Sequence, residues 1–305
     1  MCPTKQKHRT KILSTNDEQD RNDYDWREET INGGSLRRVD LIAGFNGWAS
    51  PPGNLFSLRS KQYLTKKIKS PAGEYLFKPT AVDWLKSSTR LDNVLGRSDN
   101  RVSQSLIKAH SLKKALKTFI FAVNLQVPGK DQYSAVFYFS TDEPIQPGSL
   151  LYRFINGDDQ FRNQRFKLVN RIVKGPWIVK AAVGNYAACL LGKAVTCRYF
   201  RGENYLEIDV DIGSSAIART IVHLAIGHVR SVTIDMGFVV EGQEVEELPE
   251  KLMGAVRICQ MEMGSATVVE AEDAAAVAVG KSGCGGGSSK VNNHEEEEEE
   301  GDNCG

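Results

Sequence analysis

The sequence KTFIFAVNLQVPGKDQYSAVFYFS, residues 117–140, contains two apolar runs separated by a turn-rich connection. Both runs are rich in aromatic and β-branched residues, and the segment PGKDQY between them carries the Pro and Gly that mark turns. The pattern predicts a β-hairpin formed by residues 117–127 and 134–140. Because two strands joined by a short connection run antiparallel, this hairpin favours an antiparallel sheet.

Strand patterns recur on both sides of the hairpin, whereas helix patterns are few. Further strands are predicted at 149–155, in two halves of 161–184 divided at Gly175-Pro176, and at 193–200, 204–212 and 231–240. Helices are predicted at 103–117 and 214–229, the second with Ser214 or Ser215 as its N-cap. Residues 248–263 are expected to begin as a helical turn and to end extended. The pattern predicts an α+β fold, a largely antiparallel β-sheet with a few helices in a single domain, in which helix 214–229 joins neighbouring parallel strands.

Composition divides the chain into three parts. Residues 1–40 are polar and lack hydrophobic periodicity, which predicts a disordered N-terminal segment. Residues 265–305 run from an Ala/Val tract through a Gly/Ser linker to six consecutive glutamates, which predicts a disordered acidic tail. The folded domain is therefore expected to comprise residues 41–264.

The charge is distributed unevenly along the chain, although the total is only +1. Residues 41–264 carry 29 basic and 20 acidic side chains, whereas residues 265–305 carry two basic and ten acidic ones. A basic domain of this kind is suited to bind an anionic surface. No RRM, KH or zinc-finger signature accompanies the basic residues, so nucleic acid is not expected as a partner.

The location is predicted from targeting signals and cysteine usage. No apolar run approaches the roughly 20 residues that span a bilayer, and the N-terminus lacks the apolar segment of a signal peptide. Six cysteines at irregular spacing form no CxxC pair and no disulfide framework. We therefore expect a cytoplasmic protein without a transmembrane segment, whose membrane contact, at endomembranes or the plasma membrane, is peripheral.

The segment FRNQRFKLVNRIVKGPWIVKAAVG, residues 161–184, carries six cations, one Trp and no carboxylate. Strand alternation places Arg165, Lys167 and Arg171 on one face. In LEIDVDI, residues 206–212, the same alternation collects the carboxylates Glu207, Asp209 and Asp211 on one face. The two strands can pair their charges as a cross-strand ladder, or the cations can form an anion site. A metal site is not predicted, because carboxylates on one strand face lie about 7 Å apart.

Candidate lipid- and anion-binding residues come from two segments. The charged segment contributes Arg162, Arg165, Lys167 and Arg171, and the basic segment 57–75 contributes Lys66, Lys67 and Lys69. Each lysine near an anionic bilayer contributes about 1 kcal/mol of binding free energy. Trp48 or Trp177 is expected to act as an interfacial anchor, since Trp is enriched at membrane interfaces.

Catalytic signatures are missing from the sequence. The strand-turn-helix segment DIGSSAIA lacks both the Walker lysine and GxGxxG spacing, and no GxSxG or kinase motif occurs. His223 and His228 do not have HExxH spacing. The sequence therefore predicts a non-enzymatic protein with no catalytic residues and no cofactor.

Five stretches together resemble a known family: WASPPGNLFSLRSKQYL, FIFAVNLQVPGKDQYSAVFYF, FRNQRFKLVNRIVKGPWIVKAAVG, YFRGENYLEIDVDIGSSAIA and LPEKLMGAVRICQMEM. They resemble, in order from Trp48 to Met263, the C-terminal domain of plant ENHANCED DISEASE RESISTANCE 2-like proteins. In longer members this domain follows a pleckstrin-homology and a START domain. This chain is expected to be either a stand-alone copy that lacks both or a truncated product of a longer gene.

The resemblance implies an intracellular, non-enzymatic plant domain. It also implies association with lipid and membranes and negative regulation of defence and cell death. Our leading hypothesis is a peripheral lipid- or membrane-associated regulatory domain. The alternative is a protein-interaction module whose charged strands are paired internally and which has no lipid ligand.

Overall fold

The computed structural model describes residues 24–115, 117–184 and 188–270. Within these residues the strands are β1 (Arg37–Arg38), β2 (Gly47–Ala49), β3 (Ser57–Arg59), β4 (Lys69–Pro71), β5 (Lys78–Ser87), β6 (Phe119–Val127), β7 (Gln132–Thr141), β8 (Phe166–Lys174), β9 (Ala188–Leu190), β10 (Thr196–Arg201), β11 (Tyr205–Asp211), β12 (Thr233–Val240), β13 (Leu252–Cys259) and β14 (Thr267–Val268). The helices are α1 (Trp26–Asn32), α2 (Tyr63–Lys66), α3 (Arg101–Ser111), α4 (Leu150–Asn156), α5 (Asp159–Arg165), α6 (Trp177–Val183), α7 (Leu191–Ala194) and α8 (Ala216–Gly227).

The strands form two six-stranded sheets and one two-stranded sheet. The first sheet has the order β1-β2-β13-β12-β8-β9, the second has the order β10-β11-β6-β7-β5-β14, and β3 pairs with β4. Most neighbouring pairs are antiparallel, and the exceptions are β1 with β2, β11 with β6, and β14 with β5. The predicted α+β fold with a largely antiparallel sheet is confirmed.

The hairpin predicted from residues 117–140 lies at the centre of the second sheet. Strands β6 and β7 pair antiparallel from Phe119 opposite Thr141 to Val127 opposite Tyr133. Phe121 and Phe139 face each other in this register, with their ring centroids 5.9 Å apart. Both runs are almost continuously apolar because the sheet is covered on its two faces.

One face of the hairpin packs against the first sheet and forms the main core. The ring of Phe238 on β12 lies 5.9 Å from Phe137, 5.8 Å from Phe139 and 6.1 Å from Phe166. All four side chains are fully buried. Phe137 and Phe139 belong to the second sheet, and Phe166 and Phe238 belong to the first. Burial of one such side chain stabilises the fold by roughly 1.5–3 kcal/mol, so this aromatic cluster is a main source of stability.

The opposite face of the second sheet is covered by α1 and α3. Ile120, Ala122 and Val136 belong to a buried cluster that includes Val102 and Leu106 of α3. The Asn100 side chain caps α3 by accepting from Ser103 N, and it donates to Tyr138 Oη at 3.0 Å. A polar cap therefore joins the helix to the sheet.

Three segments predicted as strands are helical. Helix α4 replaces the strand predicted at 149–155, α5 replaces the start of the strand predicted from residue 161, and α6 replaces the strand predicted after Gly175-Pro176. A short apolar run does not distinguish a strand from a helix by periodicity alone. In α6, Val179 and Val183 pack inward at i and i+4 spacing, and Pro176 precedes the helix, where no backbone N–H is required.

The helix predicted at 214–229 is present as α8, and Ser215 is its N-cap, accepting from Ala218 N at 3.3 Å. The helix joins β11 to β12, which belong to different sheets, so the prediction that it connects neighbouring parallel strands was wrong. The parallel neighbour of β11 is β6. The prediction that a helical turn begins at residue 248 was also wrong. A 3-10 turn ends at Glu247, and the cis peptide bond Leu248-Pro249 lies between this turn and β13.

The folded region begins before residue 41, which corrects the predicted N-terminal boundary. Helix α1 is capped by Asp25, and Trp26, Thr30 and the following Leu36 are buried. The polar composition of residues 1–40 gave no indication of Trp26 and Leu36, whose apolar side chains pack against the second sheet and in the main core. Residues 1–23 and most of the predicted acidic tail, 271–305, lie outside the described residues, whereas β14 adds a short strand beside β5.

Replacement of Trp26 by Ala tests the new N-terminal boundary. The side chain is only 2% exposed, so its removal should lower the free energy of unfolding by about 3–5 kcal/mol. Urea denaturation measures this change, and Glu28→Ala at an exposed position of the same helix is the control. Equal stability of the Trp26→Ala and wild-type proteins would show that α1 does not belong to the folded unit.

Candidate functional site

The predicted cation Arg162 lies inside the protein rather than on an external surface. It is buried, and its guanidinium donates to Phe154 O at 3.0 Å and to Ile155 O at 2.7 Å. Its remaining nitrogen lies 2.8 Å from Asp159 Oδ1. Arg162 therefore holds the C-terminus of α4 beside α5, and the prediction that it contacts an external anion is not supported by its position.

Lys167 and Arg165 are buried and belong to a group of charges that we call the Lys167 cluster. It consists of Arg59, Arg153, Arg165, Lys167, Glu241, Glu247 and Glu250. Lys167 Nζ contacts Glu250 Oε1 and lies 3.3 Å from Glu241 Oε2. Glu241 follows β12 and Glu250 precedes β13, so the charge of Lys167 on β8 is neutralised by the connection between these two strands.

Arg171 has a partner of the same kind at the other end of β8. Its Nη2 lies 2.7 Å from Asp235 Oδ2 on β12, and Arg257 on β13 donates to the same carboxylate. The register places Arg171, Asp235 and Arg257 side by side across three strands. The hydrogen bond to Asp235 raises the pKa of Arg257 above its ordinary value. Arg171 is therefore part of an internal charge triad.

The acidic face of residues 206–212 does not pair with β8, which corrects the cross-strand ladder considered from sequence. Strand β11 lies in the second sheet and β8 in the first. Glu207 accepts from Val94 N and Leu95 N, each at 2.7 Å, and Asp209 accepts from Asn93 N at 2.8 Å. The carboxylates therefore hold a loop that precedes α3, and their charge is met by backbone N–H groups.

The two buried carboxyls influence each other's protonation. Burial, chiefly, raises the pKa of Asp209 to about 6 from its ordinary 3.8, although the hydrogen bonds that it accepts oppose the rise. Burial and the neighbouring Asp209 raise the pKa of Glu207 well above its ordinary value. Asp211, at the strand end, pairs instead with Arg90 at 3.1 Å.

The two candidate tryptophan anchors occupy opposite environments. Trp48 on β2 is 0% exposed and belongs to the main core, so it is not available as an interfacial anchor. Trp177 at the start of α6 is 79% exposed, and Ile178 beside it is also exposed. Trp177 remains a candidate for an interfacial contact, because a large exposed aromatic side chain is suited to an interface.

The lysines of the basic segment lie at the tip of the β3–β4 hairpin. Lys66, Lys67 and Lys69 are exposed, as is Lys61, which sequence reasoning did not select. We call these four residues the lysine tip. None of them has a carboxylate partner within the described residues, and Ile68 among them is 45% exposed. Lys67 Nζ lies 5.4 Å from the centroid of the Tyr63 ring. The tip thus combines four positive charges that lack carboxylate partners in the described residues with one exposed apolar side chain.

The hairpin that carries the lysine tip is held firmly at its base. Phe56, Leu58 and Ala72 pack in a buried cluster on the outer face of the first sheet. Arg59 N donates to Glu250 Oε2 at 3.0 Å, and Arg59 Nη2 lies 2.9 Å from Glu241 Oε2. The Lys167 cluster therefore orients the hairpin, while the lysines beyond it face solvent.

Other site classes receive no support within the described residues. In residues 24–115, 117–184 and 188–270, no group of three His, Cys, Asp or Glu side chains is arranged to hold a metal ion. None of the helices in this part of the chain is long and apolar enough to cross a membrane.

Comparison with known proteins agrees with the extent of this fold. A family model described as Protein ENHANCED DISEASE RESISTANCE 2, C-terminal, matches residues 48–262. The chain belongs to this family. It is 46% identical over 235 residues to Protein ENHANCED DISEASE RESISTANCE 2-like of Arabidopsis thaliana, covering 77% of this chain and 31% of that relative.

The chain thus spans about a third of the length of the curated relative that it matches. The family is not a known enzyme family. No solved structure matches the chain, so the candidate site rests on the geometry described above.

Replacement of Lys167 by Met tests the structural role of the Lys167 cluster. It leaves Glu241 and Glu250 buried with one fewer cation, so the free energy of unfolding should fall by about 3 kcal/mol. The matched control is Lys66→Met, which should change stability by less than about 0.5 kcal/mol. Chemical denaturation of both variants measures the difference, and similar stabilities would contradict internal pairing of Lys167.

Replacement of Asp209 by Asn tests the buried carboxyl pair. Because the folded-state pKa of about 6 lies above the ordinary 3.8, the folded protein retains a proton that the unfolded chain releases. This contribution to stability is present at low pH and is lost as pH rises through about 6. On going from about pH 7 to about pH 5, the wild-type protein should gain about 1 kcal/mol relative to Asp209→Asn.

Thermal unfolding of both proteins across this pH range measures the difference, with Asp211→Asn on the same strand as the control. If the stabilities of the wild-type and Asp209→Asn proteins change in the same way with pH, the raised pKa of Asp209 is ruled out.

Proposed function

We propose that this protein is a non-enzymatic regulatory domain that associates peripherally with anionic membrane surfaces through the lysine tip. The observation that carries the proposal is the exposure of Lys61, Lys66, Lys67 and Lys69 without carboxylate partners in the described part of the chain, next to the exposed Ile68. The location that follows is cytoplasmic, at the surface of endomembranes or the plasma membrane. The name of the Arabidopsis thaliana relative supports a role in disease resistance, and control of plant defence and cell death belongs to this proposal.

The physical basis is electrostatic attraction assisted by a small apolar contact. Each lysine contributes about 1 kcal/mol near an anionic bilayer, and the attraction decays over roughly 8–10 Å at physiological salt. Ile68 can enter the interface between the lipid head groups. Since the hairpin base is already ordered by Arg59 and the buried cluster around Phe56, binding requires little additional ordering of the chain.

The predicted anion site on the charged segment is not part of this proposal. Arg162, Arg165, Lys167 and Arg171 all have partners inside the protein. Trp177 is retained as a second, separate contact. It follows Lys174, which lies seven positions after Lys167 along β8, a distance of about 23 Å.

The internal pairing of the β8 cations also favours the alternative function. In that case the protein is an interaction module without a lipid ligand, and Trp177 and Ile178 are exposed for contact with another protein. The two functions differ in what the lysine tip does, because the alternative assigns no membrane affinity to it.

Replacement of the four tip lysines by Gln separates these functions. Wild-type protein should float with vesicles that contain phosphatidylserine and not with pure phosphatidylcholine vesicles. The quadruple variant should lose at least about tenfold in affinity, because about 4 kcal/mol of electrostatic attraction is removed in the additive limit. The matched control replaces the exposed lysines Lys113, Lys117, Lys130 and Lys193 by Gln, which removes the same total charge.

Three results would refute the assignment to the lysine tip. If wild-type protein does not bind anionic vesicles, the alternative function as a protein-interaction module is favoured. The control variant can lose as much affinity as the tip variant, which indicates diffuse attraction to the whole domain. Trp177→Ala can abolish flotation while the tip variant still binds, which moves the contact to α6.

A further inference from the structure

An apolar pocket of about 540 Å³ opens between residues 141–153 and residues 240–253. Its floor is formed by the buried side chains of Val240, Leu248 and Met253. Leu76, Ile145, Leu150 and Leu151 form half-buried walls, and they pack against the main core. The volume lies within the range of roughly 300–1,000 Å³ that is typical of small-ligand sites.

The inner polar groups of the pocket already have partners. Glu247 accepts from Gln243 N at 2.7 Å and lies 2.6 Å from Arg153 Nη2. Burial by itself would raise the pKa of Glu247, but these bonds hold it below its ordinary value, so the carboxylate stays ionised and paired. Glu250 forms ion pairs with Lys167 and Arg59 of the Lys167 cluster. Neither carboxylate offers a free charge to a ligand.

The free charges of the pocket lie at its mouth and are mainly negative. Glu143 and Glu246 line the pocket, are exposed, and have no cationic partner among the described residues. Two exposed cations line the pocket, Arg153 and Lys251. Arg153 is paired with Glu247, so Lys251 is the lining cation without a carboxylate partner among the described residues. Two unpaired carboxylates against one ammonium group disfavour a phosphate or carboxylate head group and favour a cationic one.

We infer that this pocket binds a single-chain amphiphile with a positively charged amine head group, such as a long-chain alkylamine. The apolar chain occupies the space between Leu150 and Met253, where it is removed from water. The ammonium group stays at the mouth beside Glu143 and Glu246. This site is separate from the lysine tip, whose four cations select the opposite charge.

Binding of dodecylamine and dodecanoate, each below its micelle-forming concentration, tests the inference by isothermal titration calorimetry. The two probes have the same apolar chain and opposite head-group charge. Dodecylamine should bind more tightly than dodecanoate. Glu143→Gln/Glu246→Gln should weaken dodecylamine binding by about tenfold, because two exposed ion pairs with the ammonium group are lost. The control Glu28→Gln/Glu203→Gln removes two exposed carboxylates elsewhere and should leave the affinity unchanged.

Ile145→Trp reduces the pocket volume and should abolish binding of dodecylamine, and the melting temperature of this variant verifies that it is folded. The lysine-tip variant should bind dodecylamine as the wild type does, which separates this inference from membrane association. Equal affinities for the amine and the carboxylate, no binding of the amine, or unchanged binding by folded Ile145→Trp would each overturn the inference. If Glu28→Gln/Glu203→Gln weakens dodecylamine binding as much as Glu143→Gln/Glu246→Gln does, the role assigned to Glu143 and Glu246 is overturned.

Discussion

The ion pairs that hold Lys167 between Glu241 and Glu250 position both features on which the proposed functions depend. A buried charge is tolerated only when opposite charge and hydrogen bonds replace the water that it has lost. Arg59 brings the β3–β4 hairpin to this group. Arg165 of α5 donates to Glu241 O at 3.5 Å and pairs with Glu247, which also pairs with Arg153 of α4. One requirement, neutralisation of buried charge on the first sheet, therefore fixes both the base of the lysine tip and one wall of the apolar pocket.

The sequence predicted local structure well where a pattern is complete within one segment. The hairpin of β6 and β7, the strands β11 and β12, and the helix α8 with its Ser215 cap were all predictable from such patterns. Short apolar runs were ambiguous, because the spacing of WIVKAAV fits a half-buried strand and a helix equally well. Trp26 and Leu36 were missed, since isolated apolar residues in a polar segment give no periodicity.

The partners of the charged strand could not be predicted because they depend on tertiary pairing. Alternation correctly assigned Lys167 and Arg171 to one face of β8. It also made the compact acidic run 207–211 the obvious partner, whereas the actual partners Asp235, Glu241 and Glu250 are scattered along the chain. Scattered carboxylates give no sequence signal until the order of strands β13-β12-β8 brings them together.

The internal pairing also decides which charges remain for binding at the surface. Residues 41–264 have a net positive charge, but Lys167 and Arg171, which suggested an anion site on the charged segment, are paired with carboxylates inside the protein. The hairpin tip retains its lysines because no carboxylate of the described fold reaches them. At the pocket, Glu250 lines the apolar space and also a small cavity of about 230 Å³ beside Lys69 and Lys167. Because Lys167 and Arg59 neutralise Glu250, the free negative charge at the pocket is confined to Glu143 and Glu246 at its mouth. The same buried ion pairs thus leave two surfaces of opposite charge in separate places.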